Sequence, residues 1–276
     1  MANSSQTLKE QLEALARDTH ERLAEARVLH VRFGEETLTD LLLLEIKRQK
    51  RVGSQIVQTS PHKEKLSGTD WEWWIGSPRV GWVRYAVQAK KADKTTGRYN
   101  SLTHKVNGRP QIDLLERYAR GADAIPIYCF YNYPFPDTST VHWQCCSTAF
   151  DVNQLACTVA PIDTVRDAIN TRGCKSFDWL HRKQGVVPWR CLAHCPRMRR
   201  GQRSNGPSPG GLTSHPLGGE EVRIFSSLPP EIEEARAMAG PPGDGFVEIQ
   251  LEHCRKACPN RILILETSEQ DEIVRD

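Results

Sequence analysis

Two short apolar runs, Trp71-Glu72-Trp73-Trp74-Ile75 and Trp82-Val83-Arg84-Tyr85-Ala86-Val87, flank the turn-forming segment Gly76-Ser77-Pro78-Arg79. Residues 70–76 and 81–90 are therefore expected to pair as adjacent strands. Both runs end in polar groups, Asp70 before the first and Gln88-Ala89-Lys90 after the second. Side chains alternate faces along a strand, so Gln88 and Lys90 share one face and Ala89 takes the other. Across the pair Asp70 can meet Gln88, which gathers a carboxylate, an amide oxygen and an ammonium at one point. Such oxygens suit a hard cation, Mg2+ or in its place Mn2+, and the lysine can orient water or balance charge on a phosphate. That equipment points to a metal-dependent phosphodiesterase. A solvated strand end would account for Lys90-Lys91 taken alone.

The surrounding elements extend this pattern. Residues 7–29 have the spacing of an amphipathic helix. A second helix over 34–50 places Glu35 and Glu36 in its first turn and Lys47, Arg48 and Lys50 in its last, matching the helix dipole. Its expected buried stripe is Leu38, Leu41, Leu42, Leu44 and Ile46. Residues 53–60 read as a first strand, Gln111–Arg120 as a helix with Ile112, Leu115 and Ala119 inward, and 124–133 as a buried strand. Val141–Cys146 would extend the sheet. This order gives an α/β fold, a mixed central sheet flanked by helices.

With Asp70, the Gln88-Ala89-Lys90 triplet, an acid-bearing helix before them and a helix and strand after them, the chain resembles the PD-(D/E)xK nuclease superfamily in its QxK variant. It is most similar to a bacterial group carrying a GxDWEWW…QAK…QIDLL string. The likeness covers roughly residues 30–135. It implies a restriction-endonuclease-like fold and a metal-dependent endonuclease cleaving phosphodiester bonds, DNA before RNA. Asp70 and Gln88 would bind Mg2+, Glu35 or Glu36 would touch the metal or its water, and Lys90 would be catalytic. By the same likeness the setting is bacterial antiviral defence, with a defence-system partner protein or a homo-oligomer. One departure stands out: Gln88 replaces the usual second acid, so the site carries less negative charge.

Charge is distributed unevenly. The net +3 over 276 residues says little, but from Arg84 to Arg109 seven Lys/Arg face one acid, Asp93. Lys91, Lys94, Arg98, Lys105 and Arg109, in or beside an expected loop over 92–109, are candidate phosphate contacts. Gln111 either joins them or is a solvated helix-end residue. A second basic block runs from Arg190 to Arg203, either a phosphate-binding patch or a flexible tail. Glu72 shares the strand face of Asp70 and is either a further ligand or a polar residue among tryptophans. Trp71, Trp73 and Trp74 read as core rather than as a base-stacking platform.

No apolar stretch has the length of a membrane span, and the start lacks a signal-peptide core, so a cytoplasmic protein without a membrane partner is expected. Nine cysteines, irregularly spaced and odd in number, fit reduced thiols. Cys191/Cys195 and Cys254/Cys258 could supply zinc thiolates, but gaps of three residues rather than two argue against it. The expected organisation is a nuclease-like core with an N-terminal helix over 1–150 and a helical extension over 151–200. A Gly/Pro-rich linker over 201–245 and a C-terminal strand or accessory segment over 246–276 complete it. The competing reading is a non-catalytic nucleic-acid-binding protein, or an interaction module of a defence complex, that keeps the fold without turnover.

Overall fold

The computed structural model describes residues 6–59, 67–135, 137–139, 141, 149–195, 198, 212–238, 248–249, 259 and 261–272. Helix α1 (Leu8–Val28) opens on a capping box between Thr7 and Glu10, and α2 (Glu35–Gln49) starts after Gly34. Strands β1 (Ser54–Thr59), β2 (Trp71–Ser77) and β3 (Gly81–Lys91) follow, then a small hairpin of β4 (Lys105–Val106) and β5 (Arg109–Pro110). Next come α3 (Gln111–Gly121), β6 (Ile125–Tyr131), β7 (Cys157–Pro161), α4 (Ile162–Asn170), α5 (Phe177–His181), β8 (Val187–Pro188) and α6 (Arg190–His194). The chain continues with β9 (Leu212–His215), β10 (Gly219–Arg223), α7 (Pro230–Met238), β11 (Glu248–Ile249), β12 (Arg261–Glu266) and α8 (Glu269–Glu272).

The central sheet is mixed, in the order β11-β1-β12-β2-β3-β6-β7-β8. Strands β2 and β3 pair antiparallel from Trp71 opposite Val87 to Ser77 opposite Gly81, and β3 runs parallel to β6 with α3 as the crossover. Gly76 makes the tight corner possible: its φ is +154°, and a Cβ there would lie 2.0 Å from the Gly81 carbonyl oxygen. Alternation then sorts the side chains. Trp71, Trp73 and Ile75, with Val83, Tyr85 and Val87, enter the main core beneath α1, α2 and α6. Trp74 and Trp82 pack on the other face against Ile232 and Ala235 of α7, and Ala86 against Ile112, Leu115 and Ala119 of α3. The tryptophans are core residues, as the sequence suggests.

Several expectations need correction. In α2 the buried residues are Leu38, Thr39, Leu42 and Ile46, whereas Leu44 is 51% exposed because it lies half a turn from that stripe. The segment 92–109 is not a plain loop: it contains a 3-10 turn (Asn100–Thr103) and the β4–β5 hairpin, turned by Asn107 and Gly108 at φ 50° and 78°. Residues 212–223 form the β9–β10 hairpin where linker was expected, and 201–211 lie outside the described residues. Strand β12 is no appendage: it sits between β1 and β2, antiparallel to one and parallel to the other. Of Val141–Cys146 only Val141 is described, and it is not in a strand. No described helix is long and apolar enough to cross a membrane.

Candidate functional site

The polar ends of β2 and β3 meet at the N-terminus of α3, beside the first turn of α2. Asp70 stands one residue before β2 and continues the ladder, its N–H donating to the Val87 carbonyl at 2.8 Å. Its carboxylate Oδ2 accepts from Gln88 Nε2 at 2.6 Å and from the Ala89 N–H at 2.7 Å. Gln88 Nε2 also donates to the Ala89 carbonyl at 3.2 Å, which fixes the orientation of the amide. Gln88 Oε1 is buried and has no hydrogen-bond partner among the described residues.

Lys90 is 3% exposed, and its ammonium donates to Gln111 Oε1 at 3.0 Å and lies 3.8 Å from Glu35 Oε2. The other Glu35 oxygen accepts from the Lys91 N–H at 3.1 Å and from Ser101 Oγ at 2.9 Å. The Lys90 charge thus acts on two carboxylates, Glu35 at ion-pair distance and Asp70 through space, and Glu35 also interacts with Lys91. Burial pushes the Asp70 carboxyl up to about 6. The Lys90 charge and the two hydrogen-bond donors pull it down, and the Glu35 charge pushes it further up.

The sequence leaves Glu35 and Glu36 open, and the structure separates them. Consecutive helix residues point about 100° apart; Glu35 turns to the site while Glu36 is exposed to solvent. Glu36 is therefore removed from the candidate catalytic and metal-binding set. Glu72 is not at the site either. Fully buried beneath α3, its Oε1 accepts from Arg84 Nε at 3.0 Å, Arg84 Nη2 at 2.7 Å and Tyr118 Oη at 2.6 Å. Arg84, counted in the basic run, is consumed by this pairing and adds nothing to a surface patch. Gln111, left as a phosphate contact or a solvated helix-end residue, accepts from Lys90 at 3.0 Å.

Lys94, Arg98, Lys105 and Arg109 form no ion pair among the described residues, and Lys105 and Arg109 are exposed on the β4–β5 hairpin that leads directly into Gln111. Lys91 is half-buried, its ammonium 5.3 Å from the centre of the Tyr133 ring. In the second basic block Arg190 is buried and bonded to Glu13 at 2.9 Å, and 199–211 lie outside the described residues. Sequence reasoning missed Ser101 and Tyr128. Tyr128 pairs with Gln88 across β3 and β6, and burial holds its hydroxyl in the protonated form. Only the three-dimensional pairing reveals either residue.

Among the described residues no three His, Cys, Asp or Glu side chains cluster as a metal-binding group. The site has two such acids, Asp70 and Glu35, with the Gln88 amide oxygen as the further donor. Cys191 and Cys195 are buried in the main core, and Cys254 and Cys258 lie outside the described residues.

Fold and geometry together define a mixed α/β protein with a buried carboxylate–carboxamide–lysine constellation where two strand ends meet a helix N-terminus. The chain belongs to a family of unknown function, DUF6615, whose model matches residues 8–271 and so takes in all the elements from α1 to β12. No curated protein matches it.

Proposed function

We propose that the site hydrolyses phosphodiester bonds with the help of a divalent cation, in a restriction-endonuclease-like fold of the PD-(D/E)xK kind, and that DNA is the substrate. The donor set carries this reading: the Asp70 and Glu35 carboxylates and the Gln88 amide oxygen come together beside Lys90. The donor set fits such a cation, since carboxylate and carboxamide oxygens are hard ligands and Gln88 Oε1 has no other partner among the described residues. Asp70, Gln88 and Glu35 would hold it. Bound there, it would supply charge stabilisation at the phosphate.

The chain's own groups do the rest. Lys90, kept on station by the neutral Gln111 amide, presents a proton-bearing ammonium to the non-bridging phosphate oxygens, where charge builds in the transition state. Ser101 and the Lys91 N–H fix the rotamer of Glu35, so its second oxygen stays turned to Lys90. Lys105 and Arg109 draw in the backbone without reading sequence. Supercoiled plasmid incubated with purified protein and Mg2+ or Mn2+ should be nicked, and EDTA should stop this reversibly. The neutral Gln88 favours a second reading, a nucleic-acid-binding protein without turnover. Plasmid shifted on a gel but never cut, with either metal, would establish that one instead.

A further inference from the structure

Given the nuclease reading, the structure bears on the form of nucleic acid the site receives. The end of α1 and its connection to α2 carry Val28, Leu29 and Val31, which are 75%, 61% and 46% exposed. Single exposed aliphatics are ordinary, but three close together on one tip form a patch. The tip is a built structure. Leu29 N–H donates to Glu25 O at 2.8 Å and Val31 N–H to Ala26 O at 2.9 Å, around His30 in the left-handed conformation at φ 58°. Arg27 locks it in place, its guanidinium donating to Pro134 O at 2.7 Å and to Lys94 O at 2.6 Å. Arg27 thereby ties the tip to the loop that follows β3, and Glu35 begins α2 just beyond it.

Cations gather on the same side. Arg32 is exposed, Arg27 and Lys91 each lie 5.3 Å from the centre of the Tyr133 ring, and Lys94 is held to Arg27 through its carbonyl. These cations suit a phosphate chain, whereas the aliphatic tip does not, because burying an anion against hydrocarbon forfeits its hydration. Base faces do suit it, yet an intact duplex hides them in the stack. A strand led past Arg32, Lys91 and Lys94 toward Glu35 offers bases to the tip most readily where they are unpaired, because an apolar wedge must otherwise unstack a duplex step. We propose that Val28, Leu29 and Val31 form an apolar wedge against unpaired bases, so that the site takes single-stranded or frayed nucleic acid in preference to intact duplex.

Anisotropy titrations in EDTA test this without any cleavage, using a labelled blunt DNA duplex and the same duplex with one frayed, non-complementary end. The wild type should bind the frayed substrate at least about tenfold more tightly, since no duplex step has to be unstacked. The V28S/L29S/V31S variant, altered only at exposed positions, should lose that preference while binding the blunt duplex as before. Equal affinity of the wild type for both DNAs, no binding of either, or a preference untouched in the variant would overturn the proposal. So would a wild-type dimer that the variant converts to monomer in sedimentation, since the tip would then be a contact between copies. Cleavage with Mg2+ is measured separately: frayed-end binding without cleavage leaves the wedge standing and removes the nuclease, and cleavage without the preference does the reverse.

Discussion

Strands β2 and β3 carry two polar constellations on the same face, one buried and the other partly open to solvent. Glu72, Arg84 and Tyr118 form one; Asp70, Gln88, Lys90 and Glu35 form the other. In the first, one carboxylate meets one guanidinium at 2.7 Å and the charges cancel. Arg84 also donates to the Ala122 carbonyl at 2.8 Å, so the pair clamps the end of α3 to the hairpin. In the second, the Lys90 ammonium lies 3.0 Å from a neutral amide and 3.8 Å from Glu35, while Asp70 accepts only from the Gln88 amide and the Ala89 N–H among the described residues. Each constellation leaves one oxygen without a partner among the described residues, Glu72 Oε2 and Gln88 Oε1. The closeness of the charge pairing is what differs. A closed buried pair is a structural device, and the loosely paired set is where we propose that a cation binds.

The largest expected effect separates the two by activity. Lys90→Ala should lower plasmid nicking about a thousandfold or more while leaving DNA affinity nearly unchanged, because its role lies in the transition state. Normal cutting by this variant would remove Lys90 from the mechanism. Stability should separate them in the opposite sense. Glu72→Gln leaves the Arg84 guanidinium buried and uncompensated, and should cost roughly 3–5 kcal/mol in denaturant unfolding. Asp70→Asn removes a charge that burial disfavours while its oxygen can still accept from Gln88 and Ala89, so the metal-free protein should lose nothing. Equal losses in the two variants would erase the distinction.

Acid supplies a third contrast, from a region outside the hairpin's charged groups. His181 is fully enclosed, with Nδ1 at 2.8 Å from the Phe177 carbonyl and Nε2 at 2.9 Å from Thr158 Oγ1, and burial lowers its pKa to about 4. His215, packed on Tyr85, is lowered to about 4 for the same reason. Both are neutral in the fold and take up protons more readily when unfolded. Their stabilisation is therefore complete above about pH 6.5 and is lost progressively toward pH 4, up to about 3 kcal/mol for each. Unfolding midpoints across that range should fall less steeply in His181→Gln. A smaller effect belongs to the surface: Lys105→Ala with Arg109→Ala should weaken DNA binding alike for all sequences and flatten the salt slope by about 2. An unchanged slope would show the β4–β5 hairpin to be merely solvated.

What the sequence makes legible is local. The β2–β3 hairpin shows in its turn composition and apolar runs, and the meeting of Asp70 with Gln88 follows from strand register alone. Helix α3 and its inward Ile112, Leu115 and Ala119 show in their periodicity. Non-local pairing leaves no such mark. Nothing in Arg-Ile-Leu-Ile-Leu-Glu tells that β12 slots between β1 and β2, or that the Gly- and Pro-rich stretch ends in the β9–β10 hairpin. The choice of Glu35 over Glu36 depends on helix phase to within one residue, and Ser101 reaches the site only through the fold of the 92–104 segment. Arg84 looks like surface charge until its partner on the adjacent strand is known.

The most direct test of the central claim is a calorimetric titration of Mn2+ into protein freed of metal with EDTA and desalted. The account predicts saturable binding to the wild type, loss of that binding in Asp70→Asn, and its retention in Lys90→Ala. No binding to the wild type, or equal binding to Asp70→Asn, would contradict it.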